Sequence, residues 1–142
     1  MSYATLDDLI DYCGEAELIG LTDREAAATG AIDMPTIEAA LDKADAEING
    51  YIARRYVLPL ATTPPIVIDL ACVLTLWKLH IREPTEKYKK DHEEAQRKLR
   101  EIGEGKFVLD VAGLEPETTS NAGARVTDRD RPFTETSLKS FI

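Results

Sequence analysis

The sequence predicts a mainly α protein, a small helical bundle around a central buried helix at about 65–82, with a short extended segment near 106–111 and an extended, flexible C-terminal arm. Three observations carry this. Ile37, Leu41, Ala44, Ile48 and Tyr51 or Ile52 recur at helical spacing and form one apolar face. Between Ile66 and Ile81 the only polar side chains are Asp69, Thr75, Lys78 and His80, so that helix must be surrounded by others. Tyr88, Ala95, Leu99 and Ile102 then make a narrow stripe in a dense mixture of Lys, Arg, Glu and Asp, which implies one packed face and a wet remainder.

Taken in order, Thr5 followed by Asp8 resembles a capping box, and Leu6, Leu9 and Ile10 give the first short helix a buried edge that Gly14 should end. A second short helix, about Glu15 to Ile19, should place Ala16, Leu18 and Ile19 against the core, with Gly20 closing it. Thr22-Asp23-Arg24-Glu25 is a candidate further turn before the Thr29-Gly30 break. The first long helix, 34–56, begins at Asp33 as N-cap with Pro35 in its first turn. Gly50 within it marks a close crossing with another backbone, or a bend.

Val57-Leu58-Pro59-Leu60 cannot continue that helix, since proline removes a donor and pushes Leu58 toward extended geometry. Pro64-Pro65 restarts the chain as the buried helix. Pro84 breaks it again, Thr85 can cap a helix over 85–103, and Gly103 and Gly105 terminate that helix. Lys106 to Val111 is short and β-prone, suited to an edge or to docking on a neighbour. These elements make a helical domain over 1–112 and an arm over 113–142 too poor in large apolar groups to form its own core. Arg131-Pro132-Phe133 and Ser137 to Ile142 read as spaced anchors that order on a partner, while composition alone equally allows a frayed terminus.

Length and composition agree with a soluble globular domain: 142 residues, 44% hydrophobic and 30% charged, enough for one core without disulfides or metals. Cys13 and Cys72 form no framework and are expected as free thiols in a reducing cytosol. The N-terminus has neither the basic start nor the apolar run of a signal peptide, and Asp69, Lys78 and His80 interrupt the apolar helix, so a membrane span is not expected. The net charge of −9 sits at the front. Residues 1–50 carry twelve acidic side chains against Arg24 and Lys43, a net of −10. Such a surface repels phosphate and argues against a free-standing DNA-binding module.

No catalytic constellation emerges. His92-Glu93-Glu94-Ala95-Gln96 misses the H-E-x-x-H zinc motif because Gln96 stands where the second histidine is required. His80 reads as a core or interface histidine rather than a base. Gly103-Glu104-Gly105-Lys106 lacks the upstream glycine and following helix of a phosphate loop. Ala26-Ala27-Ala28 fill positions where a calcium loop over 23–33 would need oxygen ligands. The expectation is therefore a non-enzymatic protein with no cofactor and no metal. Lys87, Lys89, Lys90, Arg97, Lys98 and Arg100 interleave with five acidic residues, which describes a salt-bridged helix face before a nucleic-acid contact. Arg54 and Arg55 oppose the dipole at the end of the first long helix, or else meet acidic groups of a partner.

The Tyr3-Ala4-Thr5-Leu6-Asp7-Asp8-Leu9 opening, Leu21-Thr22-Asp23-Arg24, the joint Ile48-Asn49-Gly50-Tyr51-Ile52-Ala53-Arg54-Arg55-Tyr56-Val57-Leu58-Pro59-Leu60 with Pro64-Pro65 after it, and the closing Phe133 to Phe141 together resemble the Mu-like bacteriophage and prophage proteins of the head–tail joining type. In many such relatives the loop after Leu-Thr-Asp-Arg is richer in Asp and Gly than Glu25 to Gly30 is here, which further weakens a metal reading. The resemblance implies a virion protein made in the bacterial host cytoplasm. It implies a connector subunit that assembles with itself as a ring, often of twelve copies, beneath the portal protein and meets the tail or a neighbouring connector. DNA would pass through the channel without sequence-specific binding. The interface expected from the joint, the extended segment and the arm comprises Arg54, Arg55, Tyr56, Phe107, Val108, Leu109, Phe133, Leu138 and Phe141. A tail-completion or terminator protein is an alternative of the same class; a helical DNA-binding or regulatory adaptor and a small enzyme are alternatives from others.

Overall fold

A computed structural model describes residues 2–111. It contains α1 (Leu6–Cys13), α2 (Glu15–Thr22), α3 (Met34–Ile52), α4 (Pro65–Leu79) and α5 (Glu86–Glu104), and no strand among the described residues. The three long helices form the bundle. α3 runs one way, α4 returns, and α5 runs parallel to α3: Trp77 and His80 of α4 meet His92 and Tyr88 near the start of α5, whereas Tyr51 and Arg54 at the end of α3 meet Gly103. α1 lies across α4 and α5, tied by the Tyr12 hydroxyl donating to Asp91 at 2.8 Å.

α4 occupies the centre, as its composition predicts. Val67, Leu70, Ala71, Cys72, Leu74, Thr75, Leu76 and Leu79 are all buried, and Ile66, Ile68 and Val73 are half-buried against the same core. Ile37, Leu41, Ala44, Ile48 and Ile52 of α3 pack on it, and Ala95, Leu99 and Ile102 of α5 on its other side. At roughly 1.5–3 kcal/mol for each fully buried large side chain, these stripes supply the main force against chain entropy.

Several local expectations hold. Thr5 and Asp8 form a reciprocal capping box, the Thr5 N–H donating to Asp8 at 2.8 Å and the Asp8 N–H to the Thr5 hydroxyl at 3.3 Å. The Thr5 N–H, and the Thr5 hydroxyl donating to the same carboxylate at 2.7 Å, hold the Asp8 carboxyl below its ordinary range. Others are corrected. α2 runs through Gly20 to Thr22, whose hydroxyl donates to Leu18 O at 2.8 Å and so extends the last turn, and Ala16 is exposed. Residues 23–30 form no helical turn. They fold around the Asp23 carboxylate, which accepts from the Gly30 N–H at 3.0 Å and the Thr29 hydroxyl at 3.2 Å.

Asp33 and Thr85 occupy N-cap positions, but neither side chain makes a capping bond; Asp33 accepts the Thr36 hydroxyl instead. α3 stops at Ile52 and α4 at Leu79, each short of the predicted end: residues 53–55 form a turn, and the His80 backbone is already extended. Gly50 is neither a crossing nor crowded: a Cβ there would meet nothing within 4 Å. The close approach is at Gly103, which is helical rather than a stop and would set a Cβ 3.2 Å from the Tyr51 carbonyl oxygen.

Candidate interface at the joint end of the bundle

The end where α3 finishes, α4 begins and α5 finishes is built from the most distinctive stretch of the sequence. After Ile52 the N–H groups of Arg55 and Tyr56 both donate to the Ile52 carbonyl, each at 3.0 Å, turning the chain back. The turn drives the Tyr56 ring into the core at 4% exposure. There its hydroxyl accepts the Leu109 N–H at 2.8 Å, a bond that is itself buried. The 106–111 segment is neither a strand nor uniformly extended: the chain bends at Lys106 and Phe107, the Val111 N–H turns back to Leu109 O at 3.1 Å, and one backbone donor is satisfied by a side chain while Leu109 and Val111 dock into the core.

α5 ends in the left-handed conformation at Gly105, φ 78°, and the Lys106 and Phe107 N–H groups both return to Glu101 O. The Arg55 guanidinium lies over this glycine, with Nη1 2.2 Å from where a Cβ would stand. Arg55 thus packs the end of α3 over the end of α5, and Gly105 supplies the left-handed backbone that lets the chain turn beneath it.

The nine expected interface residues divide accordingly. Tyr56 and Leu109 are buried and hold the subunit together, Arg55 is half-buried over Gly105, and Arg54, Phe107 and Val108 remain at the surface. Phe133, Leu138 and Phe141 lie outside the described residues. The sequence reading missed Val57, 69% exposed beside Tyr56. Because Val57 flanks Tyr56, and Val108 flanks Leu109, the buried hydrogen bond brings two exposed valines to one end of the bundle.

The opposite end is different. It holds the 23–33 loop, the start of α3 and the end of α4. Arg24 donates to Leu79 O at 2.7 Å and to Leu21 O at 3.1 Å, and the Asp33 N–H reaches the Thr22 hydroxyl at 3.1 Å. Its exposed apolar residues are Met34 and Ile81.

Between the ends, polar side chains are committed to packing. Glu47 of α3 pairs with Lys78 of α4 at 2.6 Å and accepts from Gln96 of α5, whose amide oxygen accepts the Tyr51 hydroxyl at 3.3 Å. Burial pushes the Glu47 carboxyl up, but the hydrogen bonds from Lys78 and Gln96 and the Lys78 charge outweigh it and leave the group below its ordinary range. His92, of the incomplete zinc motif, stacks flat on Trp77 at 4.0 Å, and burial lowers its pKa. His80 Nδ1 lies 2.7 Å from Leu76 O. Among the described residues no group of three or more His, Cys, Asp or Glu is placed to hold a metal ion. Burial raises the thiols of Cys72 and Cys13 to about 12 and about 11, so both are protonated at neutral pH.

On α5 the basic residues are partly paired: Lys89 with Glu83 at 2.5 Å and Glu86 at 3.2 Å, and Glu94 with both Lys98 at 3.4 Å and Arg97 at 3.8 Å. This is a solvated salt-bridged face, as the interleaving predicts. Asp7, Asp11, Glu15 and Glu17 of α1 and α2 are exposed, so the front carries its charge outward. No helix among the described residues is long and apolar enough to cross a membrane.

Comparison with known proteins is consistent along the chain. The family model described as Bacteriophage Mu, Gp36 matches residues 3–128. Gene product J of Escherichia phage Mu is 36% identical over 142 residues, covering the whole of both chains. Mu-like prophage FluMu protein gp36 of Haemophilus influenzae is 26% identical over 111 residues, 78% of this chain and 79% of that one.

Proposed function

This chain belongs to the bacteriophage Mu Gp36 family, and from that premise we propose that it is a structural virion protein, a head–tail connector subunit that assembles as a ring under the portal. The observation that carries the reading is the pair of unlike ends. The joint end presents Val57, Phe107 and Val108 beside Arg54, and the far end presents Met34 and Ile81 beside Arg24. Rings of cyclic symmetry use heterologous contacts between two different patches of one subunit, closing where the rotation between subunits closes, and two distinct patches are what such a contact requires.

The remaining features support the same reading. Polar groups between the helices are spent on packing rather than gathered into a site, and the cysteines are protonated. The exposed carboxylates of α1 and α2 suit a wall past which DNA slides, since attraction to phosphate would hold it. The partly paired cations of α5 disfavour a DNA-binding adaptor.

The test is electron microscopy of the purified protein, alone and mixed with portal protein, with a mass measurement in solution. A ring in either preparation, seated on the portal in the mixture, is the expected result. A chain that forms no ring and binds neither portal nor tail sinks the proposal, and a ring that binds tail tube but not portal favours a tail-completion role instead.

A further inference from the structure

A groove of about 360 Å³ runs between the first half of α4 and the middle of α5, beside α1. Its floor is apolar, formed by Ile66, Leu70, Val73 and Ala95. Its rim carries three carboxylates against one lysine: Asp69 is exposed, Asp91 is half-buried and accepts the Tyr12 hydroxyl, and Glu94 is matched by Lys98 at 3.4 Å. Such a surface fits an aliphatic side chain that stands next to a cation, since the one fills the floor and the other offsets the rim.

We infer that the groove is the seat of the Ile81-Arg82 corner of a second copy of this chain, with Ile81 on the floor and Arg82 at the Asp69–Asp91 rim. Ile81 is the most exposed large apolar side chain among the described residues, at 74%. Arg82 beside it is exposed and takes part in no ion pair among the described residues. The chain bends at both residues, between the end of α4 and Pro84, so the pair forms an exposed corner. Phe107 at the joint end is the nearest rival, but it is only 40% exposed and the neighbouring Lys106 is already held by Glu104 at 2.6 Å.

The occupant cannot be the subunit's own corner. From Leu70 to Leu79 is roughly 14 Å along α4 at about 1.5 Å per residue, and Ile81 lies beyond Leu79. An isoleucine side chain does not span that distance. The groove lies in the joint-end half of the bundle and the corner at the far end, so the contact joins two different patches of the subunit. The inference deepens the connector reading by naming the contact between neighbours, and it rests on that reading for ring closure.

The test mixes unlabelled full chain carrying Ile81→p-benzoyl-phenylalanine with an equal amount of ¹⁵N-labelled chain of native sequence, irradiates the concentrated mixture and maps cross-links by mass spectrometry. Cross-links from the unlabelled corner to labelled Leu70, Val73 or Ala95 are the expected result. No cross-link between the labels, or only ones outside the groove, would overturn the inference even where electron microscopy shows rings, and the connector reading would then stand without it. Groove cross-links from a chain that forms no ring and binds neither portal nor tail would keep the contact and sink the connector reading. Arg82→Glu on the unlabelled chain should lower the yield about threefold or more with the helical circular dichroism unchanged, and Asp69→Lys on the labelled chain should restore it. An undiminished yield, or no restoration, would overturn the pairing of Arg82 with the rim.

Discussion

The two ends of the bundle close their helices by different means. At the joint end a buried tyrosine hydroxyl accepts a buried backbone N–H and an arginine lies over a left-handed glycine. At the far end an exposed arginine caps the last carbonyl of α4, and an exposed aspartate folds the 23–30 loop. The Tyr56–Leu109 pair has no access to water if the contact is lost; the Arg24 and Asp23 contacts do. The joint end should therefore be stiff and costly to alter, and the far end tolerant, although both expose apolar side chains.

Tyr56→Phe breaks the comparison most sharply. It leaves the Leu109 N–H buried without an acceptor, and a loss of about 1–3 kcal/mol in denaturant unfolding is expected, with raised amide exchange over 106–111. A loss below about 0.5 kcal/mol would mean that the joint end is no more committed than the far one.

Gly105→Ala comes next. The left-handed backbone alone costs roughly 1 kcal/mol, and the new Cβ must displace the Arg55 guanidinium. Combining it with Arg55→Ala should relieve the second part and not the first, so a double-mutant cycle in thermal unfolding should show coupling.

Glu47→Gln tests the seam between the two ends. Because the folded carboxyl lies below its ordinary value, its contribution is present above the unfolded pKa, near 4.5, and is lost as pH falls through the folded one. The variant should lose on the order of 1 kcal/mol at neutral pH. Its stability should also fall less steeply than that of the parent below about pH 4.5.

Arg24→Ala should matter least, by about 0.5–1 kcal/mol, since water can replace it at Leu79 O. A larger loss than for Tyr56→Phe would invert the comparison.

Much of the fold was legible in the chain, and for identifiable reasons. The periodic apolar stripes of residues 37–52 and 88–102 and the all-round apolar run of 66–81 are long enough for composition to settle type and depth. The Thr5–Asp8 box was legible because its two bonds are local. The errors fall where local signals compete with packing. Gly20, Gly50 and Gly103 all looked like stops or crossings, yet only Gly103 meets a neighbouring backbone, and it does so inside a helix. Of the residues expected at an interface, Arg54, Phe107 and Val108 are at the surface and Tyr56 and Leu109 are spent inside, while Val57, outside that expectation, is exposed.

The sequence by itself determined the family, the three long helices, their depth and the acidic front, because each is written in residue type and spacing along a single element. Only the tertiary structure decided that Tyr56 reaches Leu109, that Arg55 lies over Gly105, and that the exposed valines share one end. Those contacts join residues some fifty positions apart. Their geometry is set by the crossing of α3 and α5, to which no local pattern has access.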